Sequence, residues 1–141
     1  MRLGPQISMA VGCFSIIILF GIFQPLGPLI ICTSMTMAIA GDIGSNLVGR
    51  TIGYRFKKIP NTNKTYLGLI AGILCAIISG FLILIILNSF FIIPQNNFYL
   101  LPLIGALIIG ILDYIDLEVD DNLSFILITA SALFFISFFL I

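Results

Sequence analysis

Five of the six acidic residues stand within one stretch, DYIDLEVDD: Asp113, Asp116, Glu118, Asp120 and Asp121. Five of the six basic residues, Arg50, Arg55, Lys57, Lys58 and Lys64, stand within another. The remaining acid, Asp42, belongs to AGDIGSN, just ahead of the basic stretch. Adjacent carboxylates such as Asp120 and Asp121 repel each other unless a cation lies between them. The acidic stretch has no Lys or Arg to offset them. Oxygen ligands without His or Cys suit Mg²⁺ better than zinc, and Mg²⁺ borrows further oxygens from bound phosphates. The chain has no His at all. Opposite such a cation, GRTIGYRFKK and the later Lys64 offer Gly-punctuated basic residues. Arg grips phosphate with two parallel hydrogen bonds and Lys acts as a point charge. The expected chemistry is that of a metal–polyphosphate site. Neither stretch is a P-loop or a kinase-type GxGxxG turn.

The elements that must carry these residues are apolar. Of 141 residues, 60% are hydrophobic and only 9% are charged, with a mean hydropathy of +1.25. Soluble domains carry about a quarter charged residues. The composition therefore predicts an all-α, multi-pass membrane protein and gives no sign of a nucleic-acid partner. Cys13, Cys32 and Cys75 lie in apolar runs without CxxC spacing and read as packing residues. The opening apolar run is followed by QPLGPL and not by a small-residue cleavage pattern, so it reads as a retained helix.

A span needs about 20 apolar residues. Five candidates emerge, at about 7–23, 26–47, 67–93, 98–115 and 123–141, in a single transmembrane domain. The basic loop at about 49–65 belongs in the cytoplasm by the positive-inside rule. Counting from it places the N-terminus inside, the C-terminus outside and the acidic turn at 116–122 on the same cytoplasmic face. Tyr54, Tyr66, Tyr99 and Tyr114 fall near the expected water boundaries. Gly68, Gly72, Ala76 and Gly80 recur every fourth residue and allow close helix approach, within the chain or as a seam between copies in a homo-oligomer.

The run GDIGSNLVGRTIGYRFKKIPNTNKTYLGLIAG, with DDNLSFIL further on, resembles the signatures of the dolichol kinase and phytol kinase family. The first of these motifs is shared with phosphatidate cytidylyltransferases; the second is closer to the kinase branch. The resemblance covers about the last hundred residues. It implies a multi-pass enzyme that phosphorylates a lipid alcohol of prenyl or polyprenyl type, with CTP as donor and Mg²⁺ as cofactor. Carried over by position, Asp42, Asp120 and Asp121 would bind the metal. Arg50, Lys64, Asn122, Gly49 and Gly53 would bind the nucleotide. Lys64 would also act in the transfer, and Asp113, at the end of the fourth span, could take the alcohol proton. Leu67 stands where the family has Glu, and Thr65 where it has Ser; Asp116 and Glu118 are expected to supply the missing charge. The alternatives are a transferase that makes a CDP-lipid from a lipid phosphate, and a non-catalytic membrane subunit or transporter.

Overall fold

The computed structural model describes residues 5–60, 62–90, 96–115 and 121–140, and for Asp121 the backbone alone. The described residues form five α-helices: α1 (Pro5–Phe20), α2 (Leu26–Thr51), α3 (Tyr66–Phe90), α4 (Leu101–Ile115) and α5 (Asp121–Leu140). A short 3₁₀ turn at Gly53–Arg55 follows α2, and another at Asn96–Leu100 leads into α4. Four segments, Leu26–Thr51, Tyr66–Phe90, Phe98–Ile115 and Asn122–Phe139, are long and apolar enough to cross a membrane. The chain is an all-helical integral membrane protein by that measure.

Two helices end elsewhere than the apolar runs predict. The first run extends to about residue 23, but α1 stops at Phe20. There Gly21 donates back to the Ile17 carbonyl, and a tight turn through Phe23 and Gln24 leads to Pro25. Glycine and proline both disfavour helix continuation. At 16 residues α1 is about 24 Å long, short of the roughly 30 Å hydrocarbon core. The second run ends near residue 47, but α2 continues to Thr51. Its polar residues Asp42, Asn46 and Arg50 are four apart and share one helix face, with Ser45 and Gly49 beside them. A polar stripe of this kind ends an apolar run without ending a helix.

α2 is the central helix and touches all four others. Its most extensive partner is α3, and the small residues of α3 explain why. Gly68, Gly72, Ala76 and Gly80 are all buried. A methyl group added at Gly68 would meet the Ser45 carbonyl oxygen at 2.9 Å, and one at Gly72 would meet the Gly41 carbonyl at 3.0 Å. Close backbone approach without a side chain is how helices pack where lipid provides no hydrophobic drive. The ribbon packs on α2 of the same chain.

The opposite face of α3 carries Ile70, Leu74, Ile78, Leu82 and Ile85, all more than half exposed. α1 and α5 likewise turn Phe14, Ile18, Phe135 and Phe139 outward. An exterior so continuously apolar suits lipid and not water. Several hydroxyls in the helices bond within their own helix: Ser15 donates to the Val11 carbonyl at 2.7 Å, Thr36 to Cys32 at 2.7 Å and Ser131 to Leu127 at 2.8 Å. An aromatic cluster ties the end of α1 to α5, with the Phe20 and Phe134 ring centroids 4.8 Å apart. The described charged residues gather at the other end of the bundle.

Candidate functional site

A cleft of about 240 Å³ opens at that end, where the last turns of α2, the start of α3 and the last turn of α4 meet. Asp42, Asn46 and Arg50 form its α2 wall; Lys64 and Thr65, just ahead of α3, and Gly68 in its first turn form the facing one. Asp113 closes it from α4. Residues 71 positions apart in the chain, Asp42 and Asp113, thus share one cavity.

The ion pair between Lys64 and Asp113 anchors the arrangement. Lys64 Nζ lies 3.0 Å from Asp113 Oδ1. It also donates to the Asp113 backbone carbonyl at 3.3 Å, one of the carbonyls left over at the end of α4. Asp113 is 6% exposed, so the ammonium compensates a carboxylate that is nearly out of solvent. The candidate proton acceptor is therefore engaged by the candidate phosphate-binding lysine. Asp42, on the facing wall, accepts from Asn46 Nδ2 at 2.8 Å through Oδ1. The same amide reaches the Asp42 carbonyl at 2.9 Å, which fixes one carboxylate oxygen along the helix.

The basic stretch is folded back on itself and is not an open loop. Ile59 N–H donates to the Lys64 carbonyl at 2.9 Å and Tyr66 N–H to the Lys57 carbonyl at 3.3 Å. These bonds make a single antiparallel bridge, Lys58 to Thr65, with Ile59 buried beneath it. Arg50 and Lys64 reach the cleft; Arg55, Lys57 and Lys58 are exposed and outside its lining.

Thr65 is the pivot of this fold-back, at 5% exposure. Its hydroxyl accepts from Gly68 N–H at 3.2 Å, capping the first turn of α3. Gly49, Gly53 and Gly68 surround that hydroxyl. Gly49 also lines the cleft, whereas Gly53 lies outside the lining and packs on Thr65. An added methyl at Gly53 would collide with Thr65 Oγ1 and stand 3.2 Å from its Cβ. At Gly49 it would make an ordinary 3.4 Å contact. Gly53→Ala is therefore expected to lower stability by about 1–3 kcal/mol, with Gly49→Ala much milder. Thermal unfolding of both variants in detergent checks this.

A second, apolar groove of about 160 Å³ lies between α1, α2 and α5. Met9, Ala38, Ile39, Ile43, Phe125 and Ile126 form most of it, with Asp42 and Asn122 as its polar groups. Asp42 thus borders both cavities. Asn122, from the DDNLSF segment, approaches Asp42 from this second side and does not line the charged cleft. Leu67 lines neither cavity. The groove had no signal in the sequence, because its apolar walls look like any other span residues.

Of the residues expected to bind metal, Asp42 is described with its side chain; Asp121 is the first residue of α5, and Asp120 lies outside the described residues. Asp116 and Glu118 lie outside them too. Among the described residues, no three His, Cys, Asp or Glu side chains group as a metal site. Beside the Asp42 carboxylate the described oxygens that could join it on a cation are those of Ser45 in the cleft and Asn122 in the groove, while Asn46 turns its NH2 group to Asp42. Mg²⁺ is a cation that needs few protein ligands when phosphate supplies others, and an all-oxygen set is compatible with it.

No curated protein and no solved structure matches the chain. A sequence profile described as the cytidylyltransferase family matches residues 6–140, from α1 to the end of α5. That span takes in both cavities and every helix that walls them. The chain belongs to the cytidylyltransferase family, and membership supports a CTP-using enzyme of lipid chemistry.

Proposed function

We propose that this protein transfers a phosphoryl group from CTP to the hydroxyl of a prenyl, polyprenyl or related lipid alcohol, at the cytoplasmic face of a membrane. The observation that carries the reading is the position of Asp42, between a charged cleft and an apolar groove. A reaction that joins a soluble triphosphate to a membrane lipid needs such a meeting point. The basic residues at the cleft end of the bundle support the cytoplasmic orientation, with the N-terminus inside and the C-terminus outside.

In the proposed step, the lipid hydroxyl oxygen bonds to the γ-phosphorus while the bond from that phosphorus to the β–γ bridging oxygen breaks. CDP leaves with the bond's electrons, and the hydroxyl proton goes to a carboxylate. Arg50 and Lys64 hold the phosphates and offset their charge; catalysis of this kind is mostly positioning and electrostatics. Lys64 exchanges its bond to Asp113 for one to phosphate, and Asp113 then takes the proton. Asp42, with Asp120 and Asp121, would hold Mg²⁺. The bound ion would screen the charge of the triphosphate.

Family membership is equally compatible with a second reading, in which a lipid phosphate oxygen attacks the α-phosphorus of CTP and pyrophosphate leaves. Product analysis separates the two. Purified protein with labelled CTP, Mg²⁺ and mixed micelles of lipid alcohols or lipid phosphates should give CDP and a phosphorylated alcohol. Pyrophosphate and a CDP-lipid, formed only with lipid phosphates, would replace the kinase reading by the transferase one.

A further inference from the structure

We infer that the groove between α1, α2 and α5 receives the hydroxyl-bearing end of the lipid acceptor, and only that end, so that the enzyme does not read chain length. The inference rests on the lipid-acceptor reading above and adds where the lipid enters and how much of it is recognised.

Three observations lead there. The first is continuity. Among the described residues, Asp42 alone lines both cavities, so a polar atom at the inner end of the groove lies against the wall of the charged cleft. The second is chemistry. Six of the eight groove residues are apolar, and its two polar groups, Asp42 and Asn122, can accept from or donate to a single small head. No described Lys or Arg lines the groove, whereas the charged cleft holds both Arg50 and Lys64. An uncharged head suits the groove, and a polyphosphate suits the cleft. The third is size. The groove holds about 160 Å³, below the roughly 300–1,000 Å³ of pockets that enclose a whole drug-sized ligand. A long prenyl chain cannot be contained in it.

The outer side of the groove opens toward the lipid-facing surface. Ile43, in its lining, is 58% exposed, and Met9 and Ile39 are partly exposed. α1 forms this side, held close to α5 at Gly12, where an added methyl would stand 3.4 Å from Ile126 Cδ1. The head of the lipid is thus bound between fixed helices while the remaining chain stays in the bilayer. A carbon buried in a protein pocket contributes to discrimination; one left in lipid exchanges one apolar surrounding for another.

The test measures kcat/KM for farnesol-, geranylgeraniol- and undecaprenol-length alcohols at equal mole fraction in mixed micelles. Values within about threefold of one another are expected, because even one methylene held in a pocket can be worth about tenfold or more. A steep rise with chain length would overturn the inference. Met9→Trp, which narrows the groove from α1, is expected to raise the KM for the alcohol at least about tenfold and leave the KM for CTP unchanged. An unchanged alcohol KM would also overturn it. If only lipid phosphates turn over, the kinase reading fails, and the same series run with them tests the groove. A prenyl alcohol carrying a diazirine beside its hydroxyl needs no turnover. It should label α1 and α5 in competition with unlabelled alcohol, and labelling confined to the outer face of α3 would refute the site.

Discussion

Lys64→Ala will both unfold the cleft end of the protein more easily and abolish turnover, and the two losses will separate in a double variant. Asp113 is 6% exposed and depends on Lys64 for charge compensation. Removing one partner of a buried pair costs about 3–5 kcal/mol, because a charge is left in low dielectric. The lysine side chain retains 24% exposure, so water can partly replace it and the lower end of that range applies. Replacing both partners with apolar residues of similar shape, Lys64→Met with Asp113→Leu, should restore most of the stability, since neither charge then needs compensation. It should restore no activity. Melting in detergent and CTP turnover, measured on the single and double variants, check the two effects independently. A double variant as unstable as Lys64→Ala would mean that the pair is not what holds α3 to α4.

Asp42→Asn is expected to reduce turnover by about a hundred- to a thousandfold, the scale seen when one preorganised electrostatic group is removed from an active site. The fold should be indifferent to it. Asn46 Nδ2 donates to Asp42 Oδ1 at 2.8 Å, and the amide oxygen of an asparagine can accept the same bond. What disappears is the negative charge between the two cavities. Activity with both substrates saturating, together with the melting temperature, is the measurement. A variant that melts normally and keeps most of its activity would make Asp42 a helix-side-chain anchor and no more.

These positions show what could be read from the chain and what could not. The helices were legible because apolar runs of this length have few other outcomes in a membrane protein. Asp42, Arg50 and Lys64 were legible as candidates because charge is scarce here, and they do meet in one cleft. The continuation of α2 was not, because Asp42, Ser45, Asn46, Gly49 and Arg50 lower local hydropathy as a loop does. Only their spacing marks a helix face. The pairing of Lys64 with Asp113 was out of reach, since the partners are 49 residues apart and α3 and α4 must pack before they meet. Gly49 and Gly53 read alike as flexible nucleotide-binding positions. The close quarters around Thr65 separate them, and that is a property of three segments together.

The way the walls are shared out has an evolutionary consequence. The charged cleft is built from α2, α3 and α4 with the fold-back between α2 and α3, and the apolar groove from α1, α2 and α5. On the proposed function, selection on α1 and α5 would alter what approaches from the bilayer without disturbing the residues that hold the triphosphate. Selection on α3 and α4 would do the reverse. On that reading the two specificities would be heritable as separate traits, each open to drift or adaptation on its own. Among the described residues, position 42 alone would be under both demands, and a lineage that changes its reaction would have to renegotiate that one residue from both sides at once.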